Sequence, residues 1–354
     1  MNPPDNFENN PQLSEAINLG SYHRPNGYSH DGYVKTSNPN WLSKLPDDTK
    51  LSHLSIPGTH DSMSFYGGDA VQTQSMSLEN QLKSGIRAFD IRCRLINGSL
   101  AIHHGAIFQK TYFNDVLNTM VGFLKGKGQE NETIYMRVKK EYTDSPKNPK
   151  TSFQETFEKY WNASSCKDYV WRQRGGSFSQ NPSLKETRGK IVLLQDFEST
   201  IEYGISYKKS FNIQDVYKLK SNWSLYDKWL EVKNHLHEAD RVGSMETSYI
   251  NYLSSSTGSF PYFVASGQSS PKTGAPLLST GLITAEHVHK YQDFPKVDCL
   301  GSLCTIAFEG TNNLTSCRLG GSGYANRIGI LMIDFPGPEL ISGIINKLKN
   351  GRVH

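Results

Sequence analysis

The sequence has no apolar run long enough to cross a bilayer, and no block of lysine and arginine. The first absence argues against a transmembrane helix. The second, with 38 basic against 34 acidic residues and a net charge of +4, argues against a dedicated nucleic-acid binder. Cysteine is scarce. There are five, none in CxxC or other zinc spacing, so no structural zinc site is expected. The odd number leaves at least one unpaired. Cys299, Cys304 and Cys317 lie close together, and one local disulfide among them is plausible in an oxidising compartment. Cys93 reads as a small buried apolar residue. The N-terminus lacks the basic and apolar regions of a signal peptide. That leaves an intracellular protein, or a mature secreted chain with a starting Met added.

What is present is a chain of 354 residues, 11% of them aromatic, enough for a large core and for aromatic binding walls. Residues 1 to about 40, rich in Asn, Pro, Ser and Gly, are expected to form an irregular arm. From Trp41 onward, strand-like runs alternate with helical patterns. This implies βα units around a parallel sheet or barrel, spanning 41–354 as one domain. In GIRAFDIRCRL, Phe89, Ile91 and Cys93 alternate with Asp90, Arg92 and Arg94. In TIYMRVKKEY, Ile134, Met136 and Val138 alternate with Arg137, Lys139 and Glu141. Period 2 puts the charges on one face. In a parallel barrel that face would line the mouth at the strands' C-terminal ends. Further strands are expected in LSHLSIPG, GKIVLLQDF, around FNIQDVY, in SYINYLS and in RIGILMIDF. Helices are expected in NDVLNTMVGFLKGKG, LYDKWLEVKNHLH and PELISGIINKLKN. Residues 267–321, rich in Gly and Ser, read as an excursion of loops and short strands.

Four places carry residues suited to chemistry: His60-Asp61 after LSHLSIPGT, Arg92 in FDIRCR, His103-His104 in AIHHG, and Asp334 in ILMIDFPG. Each has an ordinary structural reading. Adjacent histidines are commonly unrelated to function. Asp61 could form an Asx-turn, and Asp334 a turn before Phe-Pro. Asp90 and Arg92 could be an ion pair of the scaffold. On a strand, only one of His103 and His104 can face the mouth. Together, however, all four would have to bring charge to one end of the same strands by accident.

IPGTHDS, QLKSGIRAFDIRCR, IHHG, KKEY and RGKIVLL, in this order and spacing, closely resemble the bacterial phosphatidylinositol-specific phospholipases C. The X domain of the larger eukaryotic phospholipases is more distantly similar. The match is dense from about Trp41 to Leu194 and resumes at IQDVY, at SYINYLSSSTGSFPYFVAS and at the Asp334 strand. The resemblance implies a distorted, incompletely closed TIM-type (β/α) barrel. It implies a lyase that converts phosphatidylinositol to diacylglycerol and inositol 1,2-cyclic phosphate. His60 falls at the general base and Asp334 at its orienting carboxylate. His104 falls at the general acid, with Asp61 as its helper.

Arg92 stands where calcium-dependent relatives carry a metal-binding carboxylate. A guanidinium donates to phosphate oxygens and cannot ligate Ca²⁺, so the enzyme is expected to need no metal and no cofactor. The inositol pocket maps to Lys139, Glu141, Arg188, Asp215 and Tyr217. Membrane contact maps to Phe260 of a rim loop and to Phe65 and Tyr66 after the first histidine. The implied partner is phosphatidylinositol in a membrane, met peripherally by a secreted monomer with no nucleic-acid partner. Acceptance of glycosylphosphatidylinositol anchors stays open. The alternatives are a calcium-dependent phosphodiesterase of the same superfamily and a silent inositol-lipid or glycan-binding barrel.

Overall fold

The computed structural model describes residues 24–350, apart from 148, 173–178, 242–244, 256, 285–289, 302 and 322–326. Eight parallel strands form its centre. In chain order they are β1 (Ser55–Thr59), β2 (Ala88–Ile96), β5 (Thr133–Lys140), β6 (Lys190–Asp196), β7 (Ile205–Ser206), β8 (Phe211–Gln214), β9 (Ser248–Tyr252) and β13 (Gly329–Ile333). Their spatial order is β7-β6-β5-β2-β1-β13-β9-β8. The two ends of this path do not pair with each other, so the barrel is incompletely closed, as expected. The hairpin β3 (Ser99–His104) and β4 (Ile107–Tyr112) extends the far end of β2 in antiparallel fashion.

The alternation read from β2 and β5 holds. Phe89, Ile91 and Cys93 are buried in the main apolar core. Asp90 and Arg137, and then Arg92 and Lys139, lie opposite each other across the two strands. The middle strand β1 is tightly enclosed. A Cβ on Gly58 would come within 2.9 Å of the Ala88 Cβ and 3.0 Å of the Leu331 carbonyl. Glycine therefore lets β1 lie close to β2 and β13.

The expected helices form at Phe113–Leu124, Ser224–Arg241 and Pro338–Asn350. Among the described residues, none is long and apolar enough to cross a membrane. Residues 24–40 carry no regular helix or strand, but they are pinned. The Gly27 carbonyl accepts from Gly337, and the Ser29 amide donates to the Phe335 carbonyl at 3.0 Å. Tyr28 and Val34 are buried. Within 267–321 a second antiparallel sheet orders as β10-β12-β11 (Ser279–Thr284, Leu303–Ala307, Lys296–Leu300). Cys304 is disulfide-bonded, and its Cα faces that of Cys299 across β11 and β12.

A helix at Thr311–Gly320 was not expected from TNNLTSCRLG, where the apolar stripe is thin. It buries polar side chains with partners instead. Asn313 accepts from the Gly27 amide at 3.0 Å and donates to Glu309 at 2.9 Å. Asn312 donates to the Asp334 carbonyl at 2.8 Å. Such satisfied groups carry no hydrophobic periodicity for a sequence reading to detect.

Candidate active site

His60 and Asp61 follow β1 directly, and Asp334 follows β13 directly. Arg92 lies in β2, and His104 closes β3. Five residues from distant parts of the chain thus meet at one end of the sheet. Asp61 has φ 38°, a left-handed conformation that a non-glycine residue adopts at a cost. Asp90 holds it there. Its Oδ2 accepts from the Asp61 amide at 3.1 Å, and its carbonyl accepts from the Ser62 amide at 2.9 Å. This reversal sends His60 and Asp61 in different directions.

His60 Nδ1 lies 2.8 Å from Asp334 Oδ1. Its Nε2 lies 2.6 Å from Arg92 Nη2. A guanidinium can only donate, so Nε2 must offer its lone pair and Nδ1 carries the proton toward Asp334. Burial pushes the His60 pKa well below the usual histidine value, and the Arg92 charge adds to this. The imidazole therefore rests neutral, as a base must. Burial raises the Asp334 carboxyl, and the nearby Asp61 adds to it, while Arg92 and Lys228 oppose. Asp334 Oδ2 has no hydrogen-bond partner. Lys228, buried on the helix Ser224–Arg241, donates to Gln214 at 3.1 Å, and burial lowers its amine to about 7.

His104 makes the second dyad. Its Nδ1 is 2.7 Å from Asp61 Oδ2 and 3.3 Å from the Ser64 hydroxyl. Its side chain keeps 18% of its surface open, against 7% for His60. His103 points the other way, buried beside Phe108. Between the dyads stands Arg92. Its Nε and Nη2 donate to Asp90 Oδ2 at 3.1 and 2.9 Å, and its Nη1 is 3.6 Å from Asp61 Oδ2. Burial alone would raise the Asp90 carboxyl, but Arg92 and Arg137 outweigh it and hold Asp90 well below the ordinary range. The arginine is thereby fixed as a charged fork between two histidines of separate allegiance.

Lys139 and Glu141 share a face at the end of β5 and pair at 3.1 Å. Glu141 also accepts from the Gly105 amide at 3.0 Å, next to His104. Burial opposes its ionisation, but Arg92 and Lys139 prevail and lower its pKa. Asp215 and Tyr217 follow β8 at the same end of the sheet, both exposed.

Arg188 does not belong with them. It precedes β6 and donates to the Leu42 carbonyl at 2.7 Å, the Leu45 carbonyl at 2.6 Å and Asp47 at 3.1 Å. The seven-residue strand that follows puts about 20 Å between it and the mouth, at ~3.3 Å per residue. The residue of this segment that reaches the mouth is Asp196, Cα partner of Lys139. Tyr66 and Phe260 are exposed, whereas Phe65 is half-buried against the main core, which weighs against it as a membrane contact.

Three residues beside the site were not singled out from sequence: Asp196, Tyr252, whose ring centre lies 5.8 Å from that of His60, and Arg137, which donates to Asp90 at 3.1 Å. Arg137 had the available signal, since alternation already placed it with Lys139 and Glu141. Among the described residues, no group of three or more His, Cys, Asp or Glu side chains is arranged to hold a metal ion.

The family model described as phosphatidylinositol-specific phospholipase C, X domain, matches residues 48–196. A 1-phosphatidylinositol phosphodiesterase of Staphylococcus aureus (strain NCTC 8325 / PS 47) is 34% identical over 275 residues, covering 69% of this chain and 78% of that protein. A protein of the same name from Listeria monocytogenes is 31% identical over 358 residues, covering 96% of this chain and 92% of its own. The solved structure of the Listeria monocytogenes phosphatidylinositol-specific phospholipase C superposes with a TM-score of 0.61 at 29% identity, over 88% of this chain and 99% of that one. One from Staphylococcus aureus gives 0.62 at 25% identity, over 88% and 97%.

Proposed function

This chain belongs to the phosphatidylinositol-specific phospholipase C family, and from that premise we infer how its site performs the reaction. The substrate is phosphatidylinositol, and the products are diacylglycerol and inositol 1,2-cyclic phosphate. His60 Nε2 takes the proton of the inositol 2-hydroxyl, and the freed oxygen attacks phosphorus. Asp334 holds the ring by Nδ1 and stabilises the imidazolium that forms. As the bond from phosphorus to the glycerol oxygen breaks, His104 delivers a proton to that oxygen, with Asp61 holding its Nδ1. Arg92 donates to the non-bridging oxygens while charge builds on them. In the resting site Arg92 occupies the lone pair of His60. An arriving phosphodiester competes for the guanidinium and frees the base for the 2-hydroxyl.

The observation that carries this reading is the pair of histidines, each with its Nδ1 beside a different carboxylate, and one arginine that meets His60 Nε2 and lies 3.6 Å from the carboxylate beside His104. Lys139, Glu141, Asp215 and Tyr217 bond or stack on the inositol ring. Tyr66 and Phe260 touch the lipid surface. The enzyme works without a metal, because Arg92 takes the part a cation would play. It acts as a secreted, peripheral monomer.

The test is phosphorus NMR on phosphatidylinositol vesicles with and without EDTA. A cyclic phosphate resonance is expected in both samples. Its disappearance with EDTA would make the enzyme a calcium-dependent phosphodiesterase. Binding to vesicles with no new resonance in either sample would make it a silent barrel.

A further inference from the structure

Arg137 is buried in the sheet interior and uses all three guanidinium nitrogens. Nε and Nη2 donate to Asp196 Oδ2 at 3.1 and 2.6 Å. Nη1 donates to Asp90 Oδ1 at 3.1 Å and to the Tyr252 hydroxyl at 2.8 Å. Its Cζ lies 4.3 Å from the ring centre of Tyr207, whose hydroxyl is 2.6 Å from that of Tyr252. Two lines run from this group to the reacting centre. Along the first, Asp90 is held by Arg137 through one oxygen and holds Arg92 and the Asp61 amide through the other. Along the second, the Tyr252 ring packs edge-on against the His60 ring, with centroids 5.8 Å apart.

We propose that Arg137, braced by Asp196, is a positioning residue of the phospholipase reaction. It aims Arg92 through Asp90 and fixes the wall behind His60 through Tyr252. The inference rests on the function proposed above. Arg137 touches neither the histidines nor Arg92 directly, so its effect must travel through Asp90 and Tyr252. A lysine could keep the charge but has one nitrogen for three directions, and could not hold both lines at once.

The charge matters separately from the geometry. His60 is faced by Asp334 after β13, Arg92 and Asp90 on β2, Asp61 beside it, His104 on β3, Arg137 on β5 and Tyr252 on β9. Lys228 stands behind Asp334. Arg137 is one of the cations that disfavour a protonated His60.

The experiment compares Arg137→Lys, Arg137→Met and Asp196→Asn with the unmodified protein on monomeric short-chain phosphatidylinositol. It records kcat, KM and the pH profile of kcat/KM, at a temperature below each variant's melting point. Arg137→Lys should lower kcat by about 10²-fold, the cost of misplacing a catalytic group by about an ångström. KM and the acid limb should stay in place. Arg137→Met should lose at least as much and move the acid limb to higher pH, because a cation near His60 has gone. Asp196→Asn should lower kcat, and its effect should not add to that of Arg137→Lys, since both loosen the same brace.

Unchanged kcat in Arg137→Lys and Asp196→Asn would overturn the proposal, even if both variants melted earlier. So would full additivity of the two. If Arg137→Met does not fold, the other two variants decide. An unmodified protein that releases no cyclic phosphate would instead refute the function itself.

Discussion

Replacing Arg92 with lysine isolates what the guanidinium does beyond carrying charge. In the resting site its Nε and Nη2 share Asp90 Oδ2, its Nη2 also meets His60 Nε2 at 2.6 Å, and its Nη1 is 3.6 Å from Asp61. A phosphodiester arriving between the histidines finds a donor already oriented by Asp90. A lysine ammonium at the same place could reach Asp90 or the phosphate, and would leave the other unmet. The loss is one oriented, charge-assisted donor to the transition state. Removal of such a donor costs on the order of 10²–10³ in kcat, or about 3–4 kcal/mol. Lysine keeps the positive charge, so the lower end, about 10²-fold, is the expected value. Initial rates on phosphatidylinositol vesicles, followed by release of cyclic phosphate, measure it. Thermal melting of the same samples checks that Asp90 has not been left to destabilise the fold. A folded Arg92→Lys protein within about tenfold of the original kcat, about 1.4 kcal/mol, would refute the claim that an aimed fork is needed.

Two further outcomes follow from the same geometry. His104→Ala should cost about 10²–10⁴ in kcat on phosphatidylinositol, and far less on an inositol phosphodiester of an acidic phenol, whose leaving oxygen needs no proton; equal losses on both substrates would remove His104 from the acid role. The second concerns stability and pH. Burial lowers His235 from 6.5 to about 4, so the unfolded chain takes up a proton before the folded one does. Its contribution is complete above about pH 6.5 and is lost as pH falls toward 4, on the order of 3 kcal/mol in all. His60 and His103 are lowered as well and act with the same sign. Urea denaturation of His235→Gln at pH 7 and pH 4.5 should show a shallower decline than the original protein; parallel declines would assign the acid sensitivity elsewhere.

Much of the site could be read along the chain because it is written in local patterns. Alternation in β2 and β5 put Asp90, Arg92, Arg137 and Lys139 on one face, and the pleat of a strand guarantees that face once the strand is right. The same rule separated His104 from His103. Arg188 failed for a reason equally physical. It lies just before a strand whose other end meets the mouth, and a motif match fixes position in sequence without saying which end of the strand it occupies. The helix Thr311–Gly320 escaped notice because Asn312 and Asn313 are buried through hydrogen bonds, which leave no apolar period. Residues 24–30 belong to the arm of residues 1 to about 40 that was expected to be irregular, and they carry no regular helix or strand. They pack against the turn after β13 through backbone bonds to Phe335 and Gly337, and so support Asp334.

By itself, then, the sequence determined the parallel α/β architecture, the faces of the strands, and the residue types able to move protons and bind phosphate. Which carboxylate serves which histidine was expected through the family resemblance alone, and only the tertiary structure brings each pair into contact. His60 and Asp61 are neighbours in the chain, yet His60 works with Asp334, 274 positions away, while Asp61 turns to His104. That division depends on the left-handed turn at Asp61, on the Asp90 carboxyl that holds it, and on the close approach of β1 to β13 and β2. Contacts across such separations are set by how whole strands pack, and a local pattern of residues does not encode them.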